Sequence, residues 1–168
     1  MRQKIISWAL VDGSICEKKC EIKLLELGYE VLLPAVPYPY DLAIRCAGNT
    51  LIKIQIKKVT MHNRVCGLKN HTYRGIFLTT GRGRRQSGYS ADFVDFFIGV
   101  DADNFYIVPF SLAYRNNAAQ TNYMLDKNTF NRWDLLPQPH NGPKILSEVE
   151  KITQTNLPGL DRTGEQPK

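Results

Sequence analysis

Asp41, Gln55 and Lys57 are residues whose types and spacing could do chemistry together. They stand on two runs of strand character, Asp41-Leu42-Ala43-Ile44-Arg45-Cys46 and Thr50-Leu51-Ile52-Lys53-Ile54-Gln55-Ile56-Lys57-Lys58, which flank Ala47-Gly48-Asn49. A three-residue stretch with Gly and Asn has the turn chemistry of a short hairpin loop. With that loop, residues pair when their numbers sum to 96, so Leu42 faces Ile54 and Ile44 faces Ile52 on a core side. The opposite side sets Asp41 against Gln55 and Ala43 against Lys53, with Lys57 two residues further along. Directly opposed residues hold their Cβ atoms roughly 5 Å apart, close enough for a carboxylate and an amide oxygen to bind one hard cation. An acid, an amide and a lysine therefore converge on one spot.

Other elements must hold this hairpin in place. Ser14 to Gly28 sets Cys16, Cys20, Leu24 and Leu27 on one stripe and stops at a glycine, the pattern of an amphipathic helix. Tyr29 to Pro34 reads as a strand ended by a proline-rich turn, and Gly75 to Thr79 as another short strand. Met61 to Thr72 is polar and aperiodic. Phe96 to Val100 and Phe105 to Val108 predict a second hairpin; its turn, Asp101 to Asn104, lacks the Gly and closing Glu of a calcium loop. Leu125 to Trp133 and Ile145 to Ile152 read as short helices. The expected organisation is one domain over residues 1–153 with a frayed tail over 154–168.

Tyr40-Asp41 followed by Ile54-Gln55-Ile56-Lys57 resembles the active-site signature of the PD-(D/E)XK nuclease superfamily, in the variant where Gln replaces the second acid. Tyr40 stands where the signature has Pro. The likeness extends to Gly-x-x-x-Glu at Gly13 to Glu17 and Leu-Gly-Tyr-x-Val-x-x-Pro at Leu27 to Pro34. Val-Asp-Phe-Phe at 94–97 and Tyr-Ile-Val-Pro at 106–109 complete it. These flanks are similar to group I intron-associated homing endonucleases of that superfamily. The resemblance implies a mixed α/β fold with an αβββαβ core, here with a C-terminal helical extension, and hydrolysis of DNA phosphodiester bonds with Mg2+, for which Mn2+ can substitute. It also implies that Asp41, the Gln55 side-chain oxygen and the Ile56 carbonyl are metal ligands, and that Lys57 orients or deprotonates the attacking water. By family position Glu17 is a further acid at the metal. Ser14-x-x-Glu17 is equally a capping box, in which the glutamate serves the helix start. Glu21, one turn on, is a weaker alternative to it.

Composition fits this class and excludes others. The 168 residues are 43% hydrophobic and 23% charged, which rules out collagen, coiled coil and wholesale disorder. No apolar run approaches the roughly 20 residues that span a bilayer, so no membrane partner is expected and a cytoplasmic location is. Four cysteines form no CxxC pair, which excludes a zinc ribbon; Cys16 and Cys20 are expected in the core. The net charge of +6 favours polyanions. Gly81 to Gly88 carries Arg82, Arg84 and Arg85, suited to phosphate contact or guanine readout on double-stranded DNA, and Lys58, Lys69, Tyr73 and Arg74 extend the same surface. His62, His71 and His140 show no ligand spacing and read as loop residues. One active site cuts one strand, so a double-strand break takes a symmetric homo-oligomer, a dimer or a tetramer. Its interface would come from the aromatics Phe96, Phe97, Phe105 and Tyr106 or from the region after Leu125, unless those aromatics belong to the core. A junction-resolving or restriction-type nuclease would share the site, and a non-catalytic nucleic-acid-binding protein would share the charge without requiring the site.

Overall fold

Gly28 ends the first helix in the manner its sequence requires. In the computed structural model, which describes residues 8–66, 69–80, 87–114 and 122–140, helix α1 spans Trp8–Glu26. Gly28 follows at a φ of 85°. The Gly28 and Tyr29 amides donate to the carbonyls of Leu25 and Leu24 at 2.9 and 3.0 Å, a glycine-dependent double closure of the last turn. The helix begins six residues before the expected start at Ser14, because Ala9, Leu10 and Val11 sustain it and Gly13 is tolerated at a small propensity cost. Ser14 is consequently interior to the helix, and the capping-box reading of Glu17 falls.

Strand β1 (Glu30–Leu32) pairs with β2 (Leu42–Cys46), and β2 with β3 (Thr50–Lys58), both antiparallel. The β2–β3 register is the expected one: Leu42 faces Ile54, Ala43 faces Lys53 and Ile44 faces Ile52. Gly48 and Asn49 take the left-handed conformations that such a tight loop needs, at φ 73° and 62°. After β3 the chain leaves the sheet through β4 (Thr60–Cys66), β5 (Lys69–Phe77), β6 (Thr79–Thr80) and β7 (Ser87–Gly88). It returns as β8 (Phe96–Asp101) parallel to β3, and turns back as β9 (Asn104–Pro109). The main sheet thus has the order β1-β2-β3-β8-β9.

The α, β, β, β start of the expected order is present. Between β3 and β8 the described residues hold strands where that order has a helix. Met61 to Thr72 reads from sequence as aperiodic, but its described residues, 61–66 and 69–72, lie in the antiparallel ribbon of β4 and β5. Its pairing is hidden in the sequence because the segment is mostly polar and no apolar alternation marks it. A short helix α2 (Phe110–Ala113) follows β9. Leu125 to Trp133 is not helical: β10 (Asn122–Met124) pairs with β5, and Asp126 to Thr129 forms a turn in which the Asp126 side chain accepts from the Asn128 amide. The Ile145–Ile152 expectation and the tail lie outside the described residues. No helix among the described residues is long and apolar enough to cross a membrane.

Both faces of the main sheet are covered, which explains the near-continuous apolar runs of β8 and β9. On one face Cys16, Cys20 and Leu24 of α1 pack on Leu42, Ile44, Ile54, Ile56 and Ile98. On the other, Phe97, Tyr106 and Val108 meet Ile76, Leu78, Val94 and Ala113. Phe97, Phe105 and Tyr106 are buried within the chain and Phe96 is half-buried, so these aromatics serve the core. Gly75 sits where β5 passes between β4 and β10, and an added Cβ there would lie 2.8 Å from the Tyr123 carbonyl oxygen and 2.9 Å from the His62 ring. Gly75→Ala is expected to destabilise the fold by about 1–3 kcal/mol through overpacking, read as a lowered midpoint in chemical denaturation.

Candidate active site

Asp41 precedes β2 and extends its ladder, its amide donating to the Ile54 carbonyl at 2.9 Å. That placement aims its carboxylate at the middle of β3. Oδ2 accepts from the Ile56 amide at 2.7 Å and from the Gln55 side-chain amide. Gln55 is one of the few buried polar side chains, and its Nε2 also approaches the Ile56 carbonyl at 3.4 Å. The Gln55 amide nitrogen therefore bridges the two oxygens, of Asp41 and Ile56, that the family resemblance implies as cation ligands. Gln55 would join such a set by presenting its oxygen in place of that nitrogen.

Lys57 completes the spot. Its Nζ donates to the Tyr89 hydroxyl at 2.6 Å and stands 4.8 Å from the centre of that ring. Tyr89 is itself held: its amide donates to the Tyr114 hydroxyl at 3.0 Å, Tyr114 donates to the Leu78 carbonyl, and the Tyr89 ring lies edge-on to Phe97. Tyr89 had no sequence signal. It enters the site only because the chain crosses from β3 to β8 on this side. Asp95 fastens that crossover, accepting from the Lys53 amide at 2.7 Å and donating its own amide to the Lys53 carbonyl at 2.8 Å. Lys53 itself turns to the Asp92 carbonyl.

Asp41 and Lys57 are partly buried, whereas Glu17 is exposed. Burial raises the Asp41 carboxyl above its ordinary range, against the lowering influence of the Ile56 amide, Lys57 and Gln55. Glu17 is raised as well, first by desolvation and then by the charge of Asp41, while Lys18 opposes. Burial lowers the Lys57 ammonium, with Asp41 working the other way. Cys20, beneath the site, is raised by burial and by Asp41. Asp41 acts on Glu17 through its charge, and carboxylate and peptide oxygens are the donor types that suit a hard divalent cation. Among the described residues no three His, Cys, Asp or Glu side chains cluster in a way that could hold a metal ion.

The other sequence candidates lie elsewhere or outside the description. Lys58 points to α1 and pairs with Asp12 at 2.6 Å. Arg74 of β5 reaches the Tyr106 hydroxyl at 3.2 Å and Asp101 at 3.3 Å. Tyr73 stacks on His62, which belongs to β4 and bonds Thr60 at 2.8 Å. Lys69 opens β5. Glu21 is taken by Lys18. Arg82, Arg84 and Arg85 fall outside the described residues.

A family model described as PD-(D/E)XK endonuclease matches residues 11–132, a span that contains Glu17, Asp41, Gln55, Lys57 and Tyr89. The chain belongs to the PD-(D/E)XK endonuclease family, and is by that membership a nuclease. No curated protein matches it. Among solved structures it is similar to that of a bacterial homing endonuclease, I-Ssp6803I, with a TM-score of 0.55 and 17% identity over 87% of this chain and 95% of that one. At that identity the likeness speaks for the fold.

The raised Asp41 carboxyl has a consequence for stability. A carboxyl raised on folding favours the protonated form, so the folded state loses stability as pH rises through its titration. Asp41→Asn keeps an oxygen for the two donors and removes the charge. It is expected to melt higher than the native chain near neutral pH, with the gap closing as pH falls below the ordinary value of 3.8. Calorimetry across pH 3–8 reads this difference.

Proposed function

We propose that the protein is a site-specific double-strand DNA endonuclease that hydrolyses phosphodiester bonds with Mg2+, or Mn2+ in its place, in the manner of an intron-homing enzyme. The observation that carries this reading is the convergence of Asp41, Gln55 and Lys57 at one end of the β2–β3 ladder. The membership of the family and the likeness in fold to a bacterial homing endonuclease support it.

Asp41, Glu17, the Gln55 oxygen and the Ile56 carbonyl are the groups that would hold the cation. When bound, the cation neutralises charge on the phosphoryl group and eases ionisation of water. Lys57 does the chain's own share. Low solvation brings its ammonium closer to giving up a proton, which suits it to exchange a proton with the attacking water and to offset charge as it develops. Tyr89 limits the directions Nζ can take, so the amine is held in place before substrate arrives. Because each site serves one strand, the working unit is a homo-oligomer on double-stranded DNA.

Incubation of the full chain with a random-insert plasmid library and Mg2+, followed by end mapping, tests the reading. Asp41→Ala and Lys57→Ala should each lower cleavage at least ~100-fold, with DNA affinity measured in Ca2+ and the far-ultraviolet circular dichroism spectrum close to native. Tyr89→Phe, which keeps the ring and loses the hydroxyl, should slow cleavage less than Lys57→Ala. Native-like rates from either alanine variant would overturn the assignment.

Arg82, Arg84 and Arg85 are proposed as DNA contacts on sequence grounds. Their joint replacement by alanine should weaken binding and flatten the log–log salt dependence by roughly 1 per lost phosphate contact. An unchanged slope in a fluorescence titration across 50–300 mM salt would remove the loop from the DNA surface.

A further inference from the structure

Helix α1 is apolar on two opposite sides. Cys16, Cys20 and Leu24 face the sheet and are buried. Trp8, Val11, Ile15, Lys18, Ile22 and Leu25 recur at alternating intervals of three and four, which places them along one seam opposite Cys20. Trp8 is 80% exposed, Ile15 49%, Ile22 56% and Leu25 53%. A soluble helix normally turns charge outward on this side. The alternation of three and four is the spacing by which one helix accepts another.

We infer that this seam is the self-association surface of the protein, docking α1 of a second copy antiparallel about a two-fold axis. The inference rests on the proposed double-strand cleavage for its purpose, and on the seam for its geometry. Charge selects both the partner and the direction. A parallel pair would set Lys18 against Lys18 inside the seam and bring Glu21 of one copy beside Glu26 of the other. An antiparallel pair with Trp8 opposite Leu25 sets Val11 opposite Ile22 and Ile15 opposite Lys18. It also brings Asp12 of each copy beside Lys19 of the other. Within one chain Asp12 already holds Lys58 at 2.6 Å and Lys19 holds Asp103 at 2.8 Å. The docked pair joins these into two rows of four alternating charges, so the same patch is complementary to itself, as a two-fold interface requires. The second hairpin's aromatics serve the core, whereas α1 carries several of the exposed large apolar side chains of the described residues on one element.

The seam runs about 25 Å at 1.5 Å per residue, short for a permanent dimer, so the expected state is a monomer–dimer equilibrium in the micromolar range. Sedimentation of the full chain from 1 to 100 µM tests it. Ile15→Asp with Ile22→Asp should raise the dissociation constant at least ~100-fold with an unchanged far-ultraviolet circular dichroism spectrum. Lys18→Ile, which replaces the charge inside the seam, should lower it about 10-fold. Native chain that stays monomeric at 100 µM with and without DNA would overturn the inference, as would association that neither change affects. If the native chain associates through α1 yet leaves every plasmid uncut in Mg2+, the surface stands and the nuclease mechanism proposed above does not.

Discussion

Two donors on one oxygen of Asp41, the Ile56 amide and the Gln55 side chain, hold the site together. They exist only in the β2–β3 register that also seats Leu42, Ile44 and Ile54 beneath α1. A slip of one residue would exchange the faces, sending those three to the chemical side and the acid and amide into the core. The apolar pattern that selects the core face therefore selects the chemical face as well. Asp95, bonded both ways to Lys53, carries that register on to β8.

Around that contact the protein sets charges where water is scarce, and each group is made tolerable by a neighbour. Asp41 leans on the Ile56 and Gln55 donors, and Lys57 on the Tyr89 hydroxyl and ring. Gln55 has a particular place in this balance. Glu17 is already raised by the charge of Asp41. A third carboxylate at 55 would add like-charge repulsion and forfeit the amide donor that Asp41 now uses. A glutamine keeps an oxygen available for a cation and supplies a donor when none is bound. The departure from the acidic signature thus favours the folded protein.

What could be read from the sequence was what local periodicity and turn chemistry determine. The three-residue loop, the facing of Asp41 and Gln55, the stop at Gly28 and the second hairpin all follow from alternation or spacing bounded by turn residues. What could not be read depends on contacts distant in the chain. Tyr89 reaches Lys57 through the β3–β8 crossover, 32 residues on. The β4–β5 ribbon and β10 are held by pairing rather than by any apolar alternation of their own, and Leu125 to Trp133 yields its helical spacing to the turn at Asp126. The start of α1 was misread for a different reason: Ser14-x-x-Glu17 satisfies the local rule for a helix beginning, yet the residues before it are good enough helix formers to override it.

That earlier start changes what Glu17 can be. A glutamate in a capping box is committed to the helix's own first amides, whereas a glutamate inside a helix has no backbone donor to serve. Two turns of helix ahead of it fix its direction by the same packing that buries Cys16, Cys20 and Leu24. Cys20 and Glu17 both register the charge of Asp41, so α1 borders the site with an apolar residue and an acid at once. The helix thus carries the residues that sense Asp41 on one flank and the apolar seam on its outer side. Any rotation of α1 large enough to reseat the outer seam would move Glu17 and Cys20 relative to Asp41, because one rigid element carries all of them.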